Sequence, residues 1–322
     1  MNKTSWSTFK LIFSMQWSNY KKDSYVIFSG WIITTLTLVI WLAFKNEGTG
    51  NAEIVPDDFI LASAIGISVI RNCLFNLVKT TFDFKKTLFF EKLFSTSISK
   101  TFVFGTIILF NQIVNIIVAI FMFSIGMLFS QQRAYLSNVN WPVFIIGFIL
   151  LAISSNLIAF IIVFTTKKFE WASVIANLFY FLPMFLLGLG IPWTLLEGNK
   201  FIMIIGFAIP QRYFLNIMAS GWSGRVTMPE NDFWYKGHFW IPYLMSILII
   251  VVLIIILVYI FIKKFEFENK KFQKYPSSMK HMAIISSIKK ANSIEELNEV
   301  MDIKKLTTEI KRKKKILKGK KK

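Results

Sequence analysis

"IPYLMSILIIVVLIIILVYIFI", residues 241 to 262, contains no charged side chain from end to end. As a helix it measures about 33 Å, enough to cross a hydrocarbon core of about 30 Å. The whole chain repeats the message: 322 residues are 54% hydrophobic and include 34 phenylalanines, more apolar surface than a soluble body of this size could bury. In lipid only helices or closed barrels satisfy the backbone, and runs this continuous do not suit alternating barrel strands. The expected fold is an all-α polytopic membrane protein.

Working outward from that run, six spans are expected: 25–44, 59–77, 102–129, 141–164, 172–189 and 241–262. The third is long enough to tilt or to continue beyond the bilayer. The first is too long for a signal-peptide core and lacks a small-residue cleavage site, so it reads as an uncleaved anchor. Lys3, Lys10, Lys21 and Lys22 precede it, Lys79, Lys85, Lys86, Lys92 and Lys100 lie between spans 2 and 3, and Lys167 and Lys168 follow span 4. Basic loops stay on the cytoplasmic side, which places both termini inside. Glu47, Glu53, Asp57, Asp58, Glu197, Glu230 and Asp232 then fall on the opposite side.

Three domains follow. Residues 1–24 carry Trp6, Phe9, Phe13, Trp17 and Tyr20 at steps of three and four, an aromatic stripe expected of an N-terminal interfacial helix. Residues 25–264 form the six-span body. Residues 265–322 form a basic cytoplasmic tail: 19 of the 37 Lys and Arg lie after Ile262. Ser293 and Glu296 in the tail match a capping box. A solvated tail is the plainer reading and attachment to anionic lipid the functional one. Nucleic acid has no fold signature to support it.

Candidate chemistry is sparse. The single cysteine, Cys73, lies in an apolar run, and both histidines, His238 and His281, lie outside the spans. No Asp or Glu occurs inside a span, which disfavours an intramembrane enzyme and a proton- or sodium-coupled carrier alike. No metal site is indicated. Arg71 is the one charge within a span; six residues from Leu77, it is expected to snorkel to the inner interface, the alternative being gating or substrate contact. Asn72, Asn76, Asn111, Asn115 and Asn156 either line a polar route or bond between helices, the commoner role.

Between spans 2 and 3, "FFEKLFSTSISK" (89–100) places Phe90, Leu93, Phe94 and Ser97 on one side of a helix and Lys85, Lys92, Ser95 and Ser99 on the other. Before the last span, Pro210 and Arg212 interrupt an apolar stretch from Phe201 to Met218, which suits a re-entrant hairpin better than another span.

This layout resembles the permease subunits of ABC-2 type transporters. In that family the segment after span 2 commonly reads E-x-L-L-x-T-P-x-S-R. Glu91, Leu93, Phe94, Thr96, Ser99 and Lys100 match it, with Ser97 in place of the proline and Lys100 in place of the arginine. "IPW" (191–193, with Pro192) and "IPQRYF" (209–214, with Pro210, Arg212 and Tyr213) are similar to the family's hairpin segments. The resemblance implies that Phe89, Phe90, Glu91, Lys92, Leu93, Phe94 and Thr96 form a coupling helix seated on a separate ATP-binding subunit. It also implies a permease homodimer or heterodimer, export, and ATP with Mg²⁺ consumed by the partner, while abundant Lys, Ile, Phe and Asn suggest an AT-rich bacterial genome. The chain has no phosphate-loop motif, and no cofactor of its own is expected. The other readings are a non-transport scaffold or immunity-type membrane protein and an ion-coupled carrier.

Overall fold

The computed structural model describes residues 3–44, 60–87, 89–94, 98–187, 196, 198–225 and 235–272. Among these residues every regular element is helical: α1 (Lys3–Lys22), α2 (24–44), α3 (Ile60–Lys86), α4 (Phe89–Phe94), α5 (Lys100–Gly126), α6 (Ser130–Tyr135), α7 (Trp141–Thr165), α8 (Phe169–Leu186), α9 (Lys200–Ala208), α10 (Gln211–Trp222) and α11 (Trp240–Phe272). The chain is therefore an all-α, multi-pass membrane protein. Five helices are long and apolar enough to cross a membrane, and α9 with α10 makes a sixth if that bent pair is taken as one span.

The expected first span is not among the five. Residues 24–44 are helical throughout, with a π-helical turn at Phe28–Ile33, but the apolar stretch that qualifies, Gly30–Ile40, is shorter than a full crossing. The second span is longer than expected, because the helix runs past Leu77 to Lys86. Lys79, Lys85 and Lys86 thus ride on a helix, while Thr81, Phe82 and Phe84 of the same stretch are buried. Helix α11 continues past the expected boundary at 264 to Phe272. The rest of the tail, with its capping-box pattern, and the acidic residues placed in the outer loops lie outside the described residues.

The break between α9 and α10 has a local cause. Proline disfavours helical geometry in the residue before it. Ile209 accordingly sits in the extended region (φ −84°, ψ 111°), Pro210 opens α10, and the two axes meet at 101°. Every residue of α10 is buried. It lies against α7, and glycines allow the approach: a Cβ on Gly147 would stand 2.7 Å from the backbone nitrogen of Met218, and one on Gly221 would strike the backbone of Phe144. The polar side chain of Asn140 caps the start of α7 by accepting from the Val143 N–H, with Pro142 in the first turn.

Helix α1 is docked on α5. Phe13, Trp17 and Tyr20 close around Phe110, with ring centroids 5.1, 6.3 and 6.4 Å away. Trp6 and Leu11 remain exposed, so the aromatic stripe divides between a protein-facing and an outward part. The indole N–H of Trp31 donates to the Tyr20 hydroxyl at 2.6 Å, and burial raises the Tyr20 pKa above its ordinary value. Asp23, just after α1, forms an ion pair with Lys79 of α3.

Candidate functional site in the membrane core

Helix α3 is the hub. Its middle, Asn72–Leu77, is a π-helical turn, a feature often found at functional positions. Asn72 Nδ2 donates to Asn115 Oδ1 at 2.6 Å and to Asn111 Oδ1 at 3.3 Å; Asn76 Nδ2 reaches Asn111 Oδ1 at 3.5 Å. Asn111 Nδ2 in turn donates to Asn156 Oδ1 of α7 at 2.8 Å, and both Asn111 and Asn115 donate to the buried Cys73 sulfur at 3.3 and 3.4 Å. All five asparagines are at most 5% exposed. The sequence-predicted Asn111, Asn115 and Asn156 are therefore brought together with Asn72 and Asn76 as a ladder stitching α3, α5 and α7. Amide-to-amide bonds of this kind hold lipid-embedded helices in register.

Arg71, one residue before the ladder, does not snorkel. Its side chain turns into the protein instead of running along the helix toward an end. It is 7% exposed, donates from Nη1 to the Tyr180 hydroxyl at 2.8 Å, and stacks on Phe75 and Tyr180 with its guanidinium carbon 5.1 and 4.7 Å from their centroids. Tyr180, on α8, escaped the sequence reading. One tyrosine among the many aromatic residues of an apolar run carries no positional signal.

Toward the other end of α3, Lys85 Nζ donates to the Val163 and Thr166 carbonyls at 2.7 and 2.6 Å. These lie at the C-terminus of α7, where unpaired carbonyls and the helix dipole favour a cation. The short helix α4 is rooted beside it. Phe90 is buried and packs on Phe84, Phe104 and Phe164 at 6.0, 5.4 and 6.1 Å, and Phe261 of α11 lies 5.0 Å from Phe104. Phe90 is turned into its own chain, and Phe89 and Leu93 are partly buried against the same core. Glu91, Lys92 and Phe94 are placed on α4, whereas Thr96 and Ser97 lie outside the described residues.

The hairpin residues gather separately. Arg212 is 1% exposed; its Nε donates to the Tyr235 hydroxyl at 3.3 Å, its Nη1 to the Met203 carbonyl at 3.3 Å, and its guanidinium lies 4.0 Å over the Phe207 ring. Asn216 donates to the same Tyr235 hydroxyl at 2.9 Å. Burial raises the Tyr235 pKa, the Arg212 charge opposing it. Tyr213 donates to the Phe207 carbonyl at 3.0 Å, tying α10 back to α9. Pro192 lies outside the described residues. No group of three or more metal-ligating side chains occurs among the described residues. Comparison with protein-family models, curated proteins and solved structures yields no match to this chain.

Proposed function

We propose that the chain is the membrane-spanning permease subunit of an ABC-2 type transporter, an exporter driven by a separate ATP-binding subunit that consumes ATP and Mg²⁺. The observation that carries the reading is α4: a six-residue helix, Phe89–Phe94, at the turn between two long apolar helices, with Phe90 rooted in rings from α3, α5 and α7. A push on such a helix reaches the feet of three transmembrane helices at once, because packed aromatic cores transmit displacement rather than absorb it. Lys85 strengthens the link by holding the end of α7 to the same foot.

On this reading Glu91, Lys92, Leu93, Phe94 and Thr96 meet the ATPase from the cytoplasm of a bacterial cell, both termini lie inside, and two permeases pair across the transport path. The basic tail is available to anionic lipid. The test is whether the chain co-purifies with a phosphate-loop ATPase, a neighbouring gene being the first place to look for one. Substituting Leu93→Asp together with Phe94→Asp is expected to lower ATPase stimulation about tenfold or more, as removal of central interface anchors does. Stimulation that survives the double substitution rejects the coupling role, and transport by this chain with no ATPase rejects the function.

A further inference from the structure

We propose that the cleft between α3 and α8 binds the acidic headgroup of an amphiphile. The two helices face each other there, with Leu74, Phe75, Val78 and Lys79 from α3 and Phe169, Ser173 and Ala176 from α8 enclosing about 210 Å³. That volume suits a headgroup and the first carbons of its chains. The wall is apolar except for Ser173 and, at one end, Lys79. At the other end stands Phe75, and on its ring rests Arg71, hydrogen-bonded to Tyr180 on the same side of α8 as Ala176. Arg71, Phe75 and Lys79 thus form a row of steps of four along one helix, with the Arg71 guanidinium at one end and the Lys79–Asp23 ion pair at the other.

The charge on Arg71 calls for an anion. An arginine keeps its proton in any protein environment, so lipid depth cannot neutralise it. Holding it at the middle of a membrane helix is costly. Among the described residues no carboxylate pairs with it, and its Nε has no acceptor. Stacking and one phenol satisfy part of the guanidinium and leave the rest of its donors directed at no acidic group. A phosphate or carboxylate in the adjoining cleft, approached past Lys79, supplies what is missing, since charge-assisted bonds to such oxygens are the strongest an arginine makes. The apolar wall between the two cations accommodates the chains, which makes the ligand an amphiphile rather than a free ion.

The experiment is native mass spectrometry of the full-length protein released from nanodiscs of equal phosphatidylglycerol and phosphatidylcholine. The wild type is expected to retain phosphatidylglycerol selectively. Arg71→Gln, and separately Ser173→Leu, which fills the cleft while leaving both cations in place, should each cut that retention about tenfold, with Lys79→Gln doing less. Inorganic phosphate that strips the lipid assigns recognition to the headgroup alone, and failure to strip it assigns recognition to headgroup and chains together; either upholds the site. Equal retention of the two lipids by the wild type, or undiminished phosphatidylglycerol on both Arg71→Gln and Ser173→Leu, overturns it. The assay needs no ATPase, so its outcome is independent of the transporter reading.

Discussion

Helices α3 and α11 are both long enough to cross a bilayer, yet 83% of the most apolar 18-residue stretch of α3 is buried in protein against 6% for α11. In water the more apolar helix would be the buried one. Here the order reverses: α11 holds an unbroken run of Ile, Leu and Val at 247–258, while α3 carries Ser63, Ser68, Arg71, Asn72 and Asn76, every one of them buried. Lipid tails solvate an isoleucine as well as a protein core does, so α11 needs little company. Arg71, Asn72 and Asn76 have no partner in hydrocarbon and find one on neighbouring helices. In this protein the helix that carries the polar residues is the central one, and the uniformly apolar helix faces outward.

The comparison can be broken most severely at Gly66 on α3. A Cβ there already meets the Leu215 side chain and stands 3.3 Å from that of Leu151, so Gly66→Leu should cost about 3 kcal/mol through forced separation of α3 from α7 and α10. The thermal midpoint of the detergent-purified protein measures it, and an unchanged midpoint would show that the burial of α3 is not what holds the bundle. A smaller loss, about 1 to 2 kcal/mol, is expected for Asn111→Leu, which takes away the acceptor used by Asn72 and Asn76 and the donor to Asn156. If leucine is tolerated without loss, packing rather than the asparagine ladder defines the core. The smallest effect belongs to α11: Ile255→Ala, at a position 62% exposed, should shift stability by no more than about 0.5 kcal/mol. A shift well above that in the purified protein would mean that this face of α11 is covered, which a cross-linking comparison of monomer and dimer can resolve.

The apolar runs were legible because span length is set by bilayer thickness, which leaves four of the expected six within a few residues of the observed candidate spans. The break before the last span was legible too, since Pro210 forces it by its effect on Ile209. The end of α3 was not. Lys79, Lys85 and Lys86 read as loop in one dimension, but Phe82 and Phe84 alternate with them on the buried side, and only the packed helix separates the two faces. The burial of Arg71 was hidden because its partner, Tyr180, lies on a distant helix that local spacing does not link to it. The asparagines were identified as polar groups in spans, though their convergence depends on the register between α3, α5 and α7, which no local spacing encodes. The rooting of α4 by Phe90 was hidden for a similar reason: amphipathicity marks which side is apolar but not which molecule covers it.

A π-helical turn holds one residue more than an α-turn, so the stretch Asn72–Leu77 offsets the phase of everything after it by about 100°. Arg71 meets Tyr180 before the offset, and Lys85 meets the α7 carbonyls after it. With an even pitch from Ile60 to Lys86, one of these anchorages could keep its azimuth only if the other turned away. A single surplus residue thus acts as the keyway that lets one rod engage two locks.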